Sequence, residues 1–142
     1  MALGSFSAAV DKFNKKANES MDRTVKRTVI GLGRAIVNRN PVGTPATTGV
    51  NGYRGGRSKA NWQYGLNSIP TSVIEDFDPD GNRTIAGIAA SVPTKAAGNV
   101  HYIANNVEYI KFLENGSSRQ APNGMVARTI LDFQQIVQGA AR

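Results

Sequence analysis

Residues 5–38 repeat apolar and polar side chains with the period of an α-helix. When successive residues are placed about 100° apart, one broad arc collects the apolar and small side chains, which are Phe6, Val10, Phe13, Ala17, Met21, Thr24, Val25, Thr28, Leu32, Ala35 and Ile36. The opposite arc contains Glu19 and the basic side chains Lys12, Lys15, Lys16, Arg23, Lys26, Arg27 and Arg34. The pattern predicts one long amphipathic helix with a basic stripe.

Two features are expected near the end of this helix. Gly31 and Gly33 each weaken it by about 1 kcal/mol relative to alanine, so they mark either a bend or a close contact with another helix. The pair Asn40-Pro41 ends the helix, because a residue before proline avoids the α conformation.

The hydrophobic period disappears over residues 41–61. Residues 40–61 contain two prolines and five glycines, a composition typical of loops. A loop this long within one domain is either functional or disordered. We therefore predict a single domain over residues 1–142, with residues 41–61 forming an extended loop or arm.

Strand signals follow the loop. Trp62, Tyr64 and Leu66 alternate with polar residues, which is the period of a strand, and Trp62 is expected in the core. The stretches "VIEDF" and "RTIAGIAASV" flank the turn sequence "DPDGN" and suggest a hairpin. "NVHYIAN" indicates a further strand.

Helical signals return in the last third. "NVEYIKFLENG" predicts a short helix that ends at Asn115-Gly116. From about Gly124 onwards, apolar residues recur at helical spacing and predict a C-terminal helix. The fold class is therefore α+β: a long N-terminal helix, a small antiparallel sheet of about three to four strands, a long arm and a C-terminal helix.

Composition narrows the functional classes. The net charge of +7 is uneven, since residues 1–60 carry eleven Lys and Arg against three acidic residues. The basic first half either faces an acidic partner or serves solubility alone. The chain has no cysteine, so disulfides and thiolate chemistry are excluded. Neither a membrane-spanning run nor a signal peptide is recognisable, so we expect a soluble protein that remains where it is made.

No set of residues predicts catalysis, a cofactor or a metal. "DFDPDGN" resembles the start of a calcium loop, but Gly87 stands where a bidentate glutamate is needed, so an acidic hairpin turn is favoured. His101 lacks partner ligands and is interpreted as a half-buried strand histidine. Glu108 and Glu114 are six residues apart and face different sides of a short helix. We expect no enzyme.

The stretch "YRGGRSKANW" combines Arg54, Arg57 and Lys59 with Tyr53 and the only tryptophan. It matches neither phosphate-loop signature. Arginine beside an aromatic ring suits nucleic acid, whereas glycines and arginines also suit an arm that grips a neighbouring protein. Both interpretations remain open from the residues alone.

Two stretches together resemble a known family. "NPVGTP", followed after an insert by "GGRSKANW", is similar to the Pro-Val-x-Thr-Gly-Arg-x-Arg-x-Ser/Asn-Trp pattern of the tail-completion (neck) proteins of long-tailed bacteriophages, the lambda minor tail protein Z-like family. "NNVEYIKFLENGSSRQAPNGMVARTILDFQQIV" resembles that family's Asn-x-x-x-Tyr-x-x-x-x-Glu-x-Gly-x-Ser-x-Gln-Ala-Pro-x-Gly-Met segment. The matching positions are Asn105 or Asn106, Tyr109, Glu114, Gly116, Ser118, Gln120, Ala121, Pro122, Gly124 and Met125. The insert "ATTGVNGYRG" departs from the family's shorter loop.

The resemblance implies a structural role in the virion. Such proteins are made in the host bacterial cytoplasm and form a ring, usually sixfold, between the head connector or stopper protein and the tail terminator or tail tube protein. They complete the tail and join it to the head, with viral DNA in the lumen; they bind no membrane and are not enzymes.

Two groups of residues are the expected contact sites. The subunit or partner interface would contain Arg54, Arg57, Lys59, Tyr109, Glu114, Ser118, Arg119 and Gln120. The basic helix stripe would face DNA or an acidic partner, and the arm would become ordered on assembly. The alternative is a stand-alone basic protein that binds nucleic acid without sequence preference.

Overall fold

Helix α1 (Ala2–Arg39) is the longest element of this computed structural model, which describes residues 2–142. It is one uninterrupted helix, as the apolar period predicts. It ends one residue before Asn40, which precedes Pro41 and is therefore kept out of the α conformation.

Only the C-terminal half of α1 packs against the rest of the chain. Residues 4–16 are all exposed, whereas Val29, Ile36 and Val37 are buried. The predicted apolar arc is therefore buried along only part of its length. Its second half enters the core, but Phe6 and Phe13 in its first half remain 68% and 70% exposed.

Gly31 and Gly33 allow close helix contacts, and α1 continues through both without interruption. A Cβ on Gly31 would lie 2.9 Å from the Cγ2 of Ile136 in helix α7 (Phe133–Ala140). A Cβ on Gly33 would lie 3.0 Å from the Cγ2 of Ile88 in helix α4 (Asn82–Ser91). The two glycines thus let α4 and α7 approach the C-terminal half of α1.

The described residues contain one sheet of two strands, so the prediction of three to four strands is wrong. Strand β1 (Gln63–Leu66) pairs antiparallel with β2 (His101–Ala104), with Gln63 opposite Ala104 and Leu66 opposite His101. Both strands lie within stretches predicted from the alternating pattern.

The predicted hairpin around "DPDGN" is wrong on both sides. "RTIAGIAASV" forms α4, whose apolar residues Ile85 and Ile88 lie three positions apart and face the core. "VIEDF" has no neighbouring strand; instead the side-chain amide of Asn61 bonds the backbone N–H and C=O of Ile74 at 2.7 and 2.9 Å. Asp78 accepts the N–H of Thr84 at 2.7 Å, so the acidic turn supports a helix start.

The core is held by one apolar cluster and a buried polar chain. Ile36, Val37, Trp62, Ile88, Ala121 and Met125 form the main cluster, which confirms Trp62 as a core residue. The Trp62 Nε1–H donates to Asn40 Oδ1 at 2.8 Å, and Asn40 Nδ2 donates to Ser58 Oγ at 2.8 Å. These bonds attach the residues after α1 to the start of β1.

The C-terminal third is helical, as predicted, but it is divided. Helix α5 (Ile110–Glu114) ends directly before its C-cap Asn115. The single last helix that was expected is divided into α6 (Val126–Leu131) and α7. The interruption lies at Asp132, which forms an ion pair with Arg39 of α1. The α+β class is therefore confirmed in outline, with fewer strands and more helices than expected.

The predicted arm is partly folded onto the core. It contains the short helices α2 (Pro45–Thr48) and α3 (Arg57–Ala60). Residues 44–54 are exposed, but Gly56 and the four residues 58–61 are buried. The exposed part is thus shorter than residues 41–61. Its ordering on assembly stays a prediction.

We predict that the same substitution has opposite effects at two helical glycines. Gly31→Leu should lower the free energy of unfolding by about 1–3 kcal/mol, because its side chain would overlap Ile136. Gly87→Leu in α4 should raise it by roughly 0.5–1 kcal/mol, because a Cβ there meets open space and leucine favours helix. Urea denaturation measures both; equal effects would contradict the close α1–α7 contact.

Candidate functional site

A cleft of about 800 Å³ lies between the predicted arm and the loop that follows α5. One wall is formed by residues of 41–58, among them Thr47, Thr48, Tyr53 and Ser58. The other wall contains residues 109–120. Five of the eight predicted interface residues line this cleft: Arg57, Tyr109, Ser118, Arg119 and Gln120. The two sequence stretches that carry the family resemblance therefore meet at one surface feature.

Gln120 joins the two walls. Its Oε1 accepts the backbone N–H of Val42 at 3.0 Å, and its Nε2 donates to the C=O of Val42 at 2.9 Å. The amide side chain thus pairs with Val42 as a neighbouring strand would. Gln120 is predicted from the sequence to contact a partner. In the structure it instead holds Val42, which lies just before the exposed residues 44–54.

Glu114 also has a role within the chain. Its Oε2 accepts the N–H groups of Met125 and Val126 at 2.9 and 3.0 Å, and its Oε1 accepts that of Ala127 at 2.8 Å. The carboxylate therefore caps the free donors at the start of α6. Burial raises the pKa of Glu114, but the three backbone hydrogen bonds outweigh it and the pKa lies below its ordinary value.

Two glycines make the loop around Glu114 sterically feasible. Gly124 has φ +80°, and a Cβ there would lie 2.7 Å from the Oε1 of Glu114. Gly116 has φ +90°, and a Cβ there would overlap the C=O of Pro122. Only glycine adopts this backbone at no steric cost. The Glu-x-Gly…Gly-Met spacing is thus accounted for by one folded loop, which we call the capped loop (residues 114–127).

Arg57 lies at the edge of the cleft among acidic side chains. Its NH1 donates to Glu108 Oε1 at 3.0 Å, its NH2 lies 3.7 Å from Glu75 Oε1, and its guanidinium lies 5.9 Å from the ring centroid of Tyr109. The backbone N–H of Glu108 and the Arg57 guanidinium hold the pKa of the Glu108 carboxyl below its usual value. Arg57 is therefore already paired.

The other predicted interface residues are placed differently. Arg54 stacks over the ring of Phe77, 4.3 Å from its centroid. Lys59 is 8% exposed, so a flat protein surface cannot reach it. Ser118 accepts the N–H of Gln120 at 3.2 Å. Arg119 is exposed beside the cleft and forms no ion pair within the described part of the chain.

The basic stripe occupies a separate surface on α1. Lys26 is half-buried and the other six members are exposed. Arg27 donates to the C=O of Arg142 at 3.2 Å. The stripe does not line the cleft, so the two predicted groups are distinct sites.

Sequence reasoning missed the apolar surface beside this stripe. Phe6, Val10, Phe13 and Met21 are 68%, 39%, 70% and 53% exposed; we call them the exposed stripe. Their period was recognised, but a period indicates which residues share a face and not whether the chain itself covers that face. An exposed run of this kind typically marks an interaction site.

His101 occupies the half-buried strand position expected for it. Its Nδ1 lies 2.7 Å from the Tyr64 hydroxyl and its Nε2 lies 2.8 Å from the C=O of Ala96. Both ring nitrogens are therefore engaged. Within residues 2–142, no group of three His, Asp or Glu side chains has the geometry of a metal site, and no helix is both long and apolar enough to cross a membrane.

Comparisons of this chain with protein-family models, with curated proteins and with solved structures found no match.

We predict that Glu114→Gln destabilises the fold in a pH-dependent manner. The substitution should lower the free energy of unfolding by about 1–3 kcal/mol at pH 7, because three backbone N–H groups lose a charged acceptor. The pKa of Glu114 is lower in the folded chain than in the unfolded one, where it is about 4.3. The stabilisation is therefore complete above that value and is lost as the pH falls through the folded pKa.

Urea denaturation of both proteins from pH 7 to pH 3 measures this difference. Glu19→Gln on the exposed part of α1 is the control and should change stability by less than about 0.5 kcal/mol. A constant difference between Glu114→Gln and the wild type across the whole range would contradict the capping role of the carboxylate.

Proposed function

We propose that this chain is a structural subunit of the neck ring of a long-tailed bacteriophage, which completes the tail and joins it to the head connector. Its partners would be further copies of itself in a ring, the tail terminator or tail tube protein, and the head connector or stopper protein. DNA would pass through the lumen. The protein would be made in the host cytoplasm and would reside in the virion.

The observation that carries the subunit role is the exposed stripe on the projecting half of α1. Phe6 and Phe13 are 68% and 70% exposed, so much of their apolar surface lies in water. Burying this surface against a partner would favour association by about 25 cal/mol per Å². A rigid helix cannot fold back to cover its own side chains, so the cover has to come from another molecule. A heterologous contact of this kind closes into a ring when its rotation permits.

The kind of assembly is supported by the family resemblance. The capped loop and the "GGRSKANW" stretch are the two regions that resemble tail-completion proteins, and they form the two sides of one cleft. The exposed segment 44–54 lies over this cleft. A neighbouring subunit that enters the cleft would meet Arg119 and the exposed side chain of Tyr53, two residue types that are enriched at protein interfaces.

We predict that the double variant Phe6→Gln/Phe13→Gln folds normally but associates more weakly. This double variant should keep the wild-type melting temperature, because both rings are exposed in the isolated chain. Its association with itself and with purified tail tubes should weaken at least roughly tenfold, since two buried aromatic side chains supply well over 1.4 kcal/mol. Mass photometry of the protein alone and with tail tubes measures the association.

Leu131→Gln is the matched control. Leu131 is 73% exposed but lies on α6, outside both the projecting half of α1 and the cleft, so this variant should assemble as the wild type does. A Phe6→Gln/Phe13→Gln protein that binds tails with wild-type affinity would contradict the role of the exposed stripe.

The second candidate function, a stand-alone nucleic-acid-binding protein, is favoured by the six exposed basic residues of α1. The ring proposal predicts that the isolated chain binds duplex DNA only at micromolar or weaker affinity at physiological salt, in the manner of non-specific phosphate contacts. Heparin should remove this binding as well as unlabelled DNA does. Nanomolar affinity that heparin fails to compete would favour the second candidate instead; fluorescence anisotropy measures both.

A further inference from the structure

A second cavity, of about 420 Å³, lies on the other side of the capped loop. It is lined by the end of α1, by α3 and by the capped loop, and its charged members are Arg39, Lys59 and Arg128. No acidic residue is among those that line it. The cavity shares only Gln120 with the cleft described above, so it is a separate site.

Lys59 is the unusual member of this cavity. It is 8% exposed, and its Cε would lie 3.1 Å from a Cβ on Gly81, so its stem crosses that glycine. Among the residues that the structure describes, no carboxylate lies within 4.0 Å of its ammonium. A lysine is rarely buried without an anionic partner, because removing the charge from water is costly.

The ammonium group has access to the cavity. Within residues 2–142, every fully buried side-chain nitrogen or oxygen has a hydrogen-bond partner. Lys59 takes part in no ion pair and no side-chain hydrogen bond there, so its Nζ retains some accessible surface, and Lys59 is a lining residue of the cavity. Lys59 thus lines the cavity with an ammonium group that no carboxylate of the described residues compensates.

The neighbouring charges leave the cavity positive. Arg39 is paired with Asp132 and donates to Thr129 Oγ1 at 2.8 Å, so its charge is compensated. Arg128 is exposed and forms no ion pair within the described residues. Lys59 and Arg128 therefore bring two uncompensated positive charges to one cavity.

Free polar groups are present beside these charges. Asn38 and Asn123 line the cavity, and their side chains make no hydrogen bond within the part of the chain that the structure describes. In contrast, the amide of Asn40 is occupied by Pro41 and Ser58, and that of Gln120 by Val42. The cavity thus offers two cations and two free amides.

We propose that this cavity binds a phosphate group, with Lys59 and Arg128 as its charged ligands and Asn38 and Asn123 as supporting donors. A phosphate dianion matches the two uncompensated charges, and it accepts several hydrogen bonds at once. The volume exceeds that of phosphate alone, which leaves room for the remainder of a phosphate ester. The proposal concerns a single chain and does not depend on assembly into a ring.

The test is titration of the purified chain with inorganic phosphate, at ionic strength held constant with sodium chloride. Isothermal titration calorimetry should show saturable binding, and the melting temperature should rise with phosphate concentration. Lys59→Met should weaken binding at least roughly tenfold, equivalent to 1.4 kcal/mol or more. In phosphate-free buffer its melting temperature should be higher than that of the wild type, because an uncompensated buried charge is removed.

Two further variants separate this site from general effects of charge. Arg128→Gln removes an exposed charge at the cavity, so it should fold normally and bind phosphate several-fold more weakly. Lys95→Met removes an exposed lysine outside the cavity and should bind as the wild type does.

Three results would overturn the proposal. One is a rise in melting temperature with phosphate that is no larger than the rise with chloride. Another is phosphate binding with wild-type affinity by both Lys59→Met and Arg128→Gln. The third is a lower melting temperature of Lys59→Met in phosphate-free buffer, which would show that the ammonium is already compensated within the chain.

Discussion

The structure depends on a rigid helix that is longer than the body it packs against. Val29, Ile36 and Val37 of α1 are buried, and Gly31 and Gly33 admit α7 and α4 at close range. Residues 4–16 of the helix are all exposed, yet its apolar period continues through Phe13 to Phe6. One half of the helix is thus packed against the rest of the chain, and the other half is exposed to solvent. This arrangement suits the subunit role proposed above, because the anchored half fixes the direction of the exposed half.

The capped loop and the arm supply the second part of this account. Glu114 caps α6, and Gln120 holds Val42, so two residues predicted to contact a partner are used to hold the chain's own loops. Their direct partners are backbone groups of the same chain. These bonds shape the cleft, and Arg119, which lines it, forms no ion pair within the described residues. Substitution of Glu114 or Gln120 would therefore change the shape of the cleft.

Elements with a strong local signal could be predicted from the sequence. The α1 period, the alternation at Tyr64 and Leu66, and the Asn115-Gly116 stop all depend on neighbours in the chain. The errors come from interactions between distant residues. The sequence of α4 also suits a strand because it contains β-branched residues, and its capping acceptor, Asp78, lies in a loop. The side chain of Asn61 replaces a strand beside Ile74, and the buried stem of Lys59 packs beside Gly81, more than twenty residues away. Neither contact leaves a signal in a short stretch of sequence.

The most direct measurement of the central claim is electron microscopy of phage particles assembled without this protein. The proposal predicts DNA-filled heads beside complete but unattached tails, and joined virions once the purified wild-type chain is added. Joined, infectious virions formed in its absence would contradict the proposal.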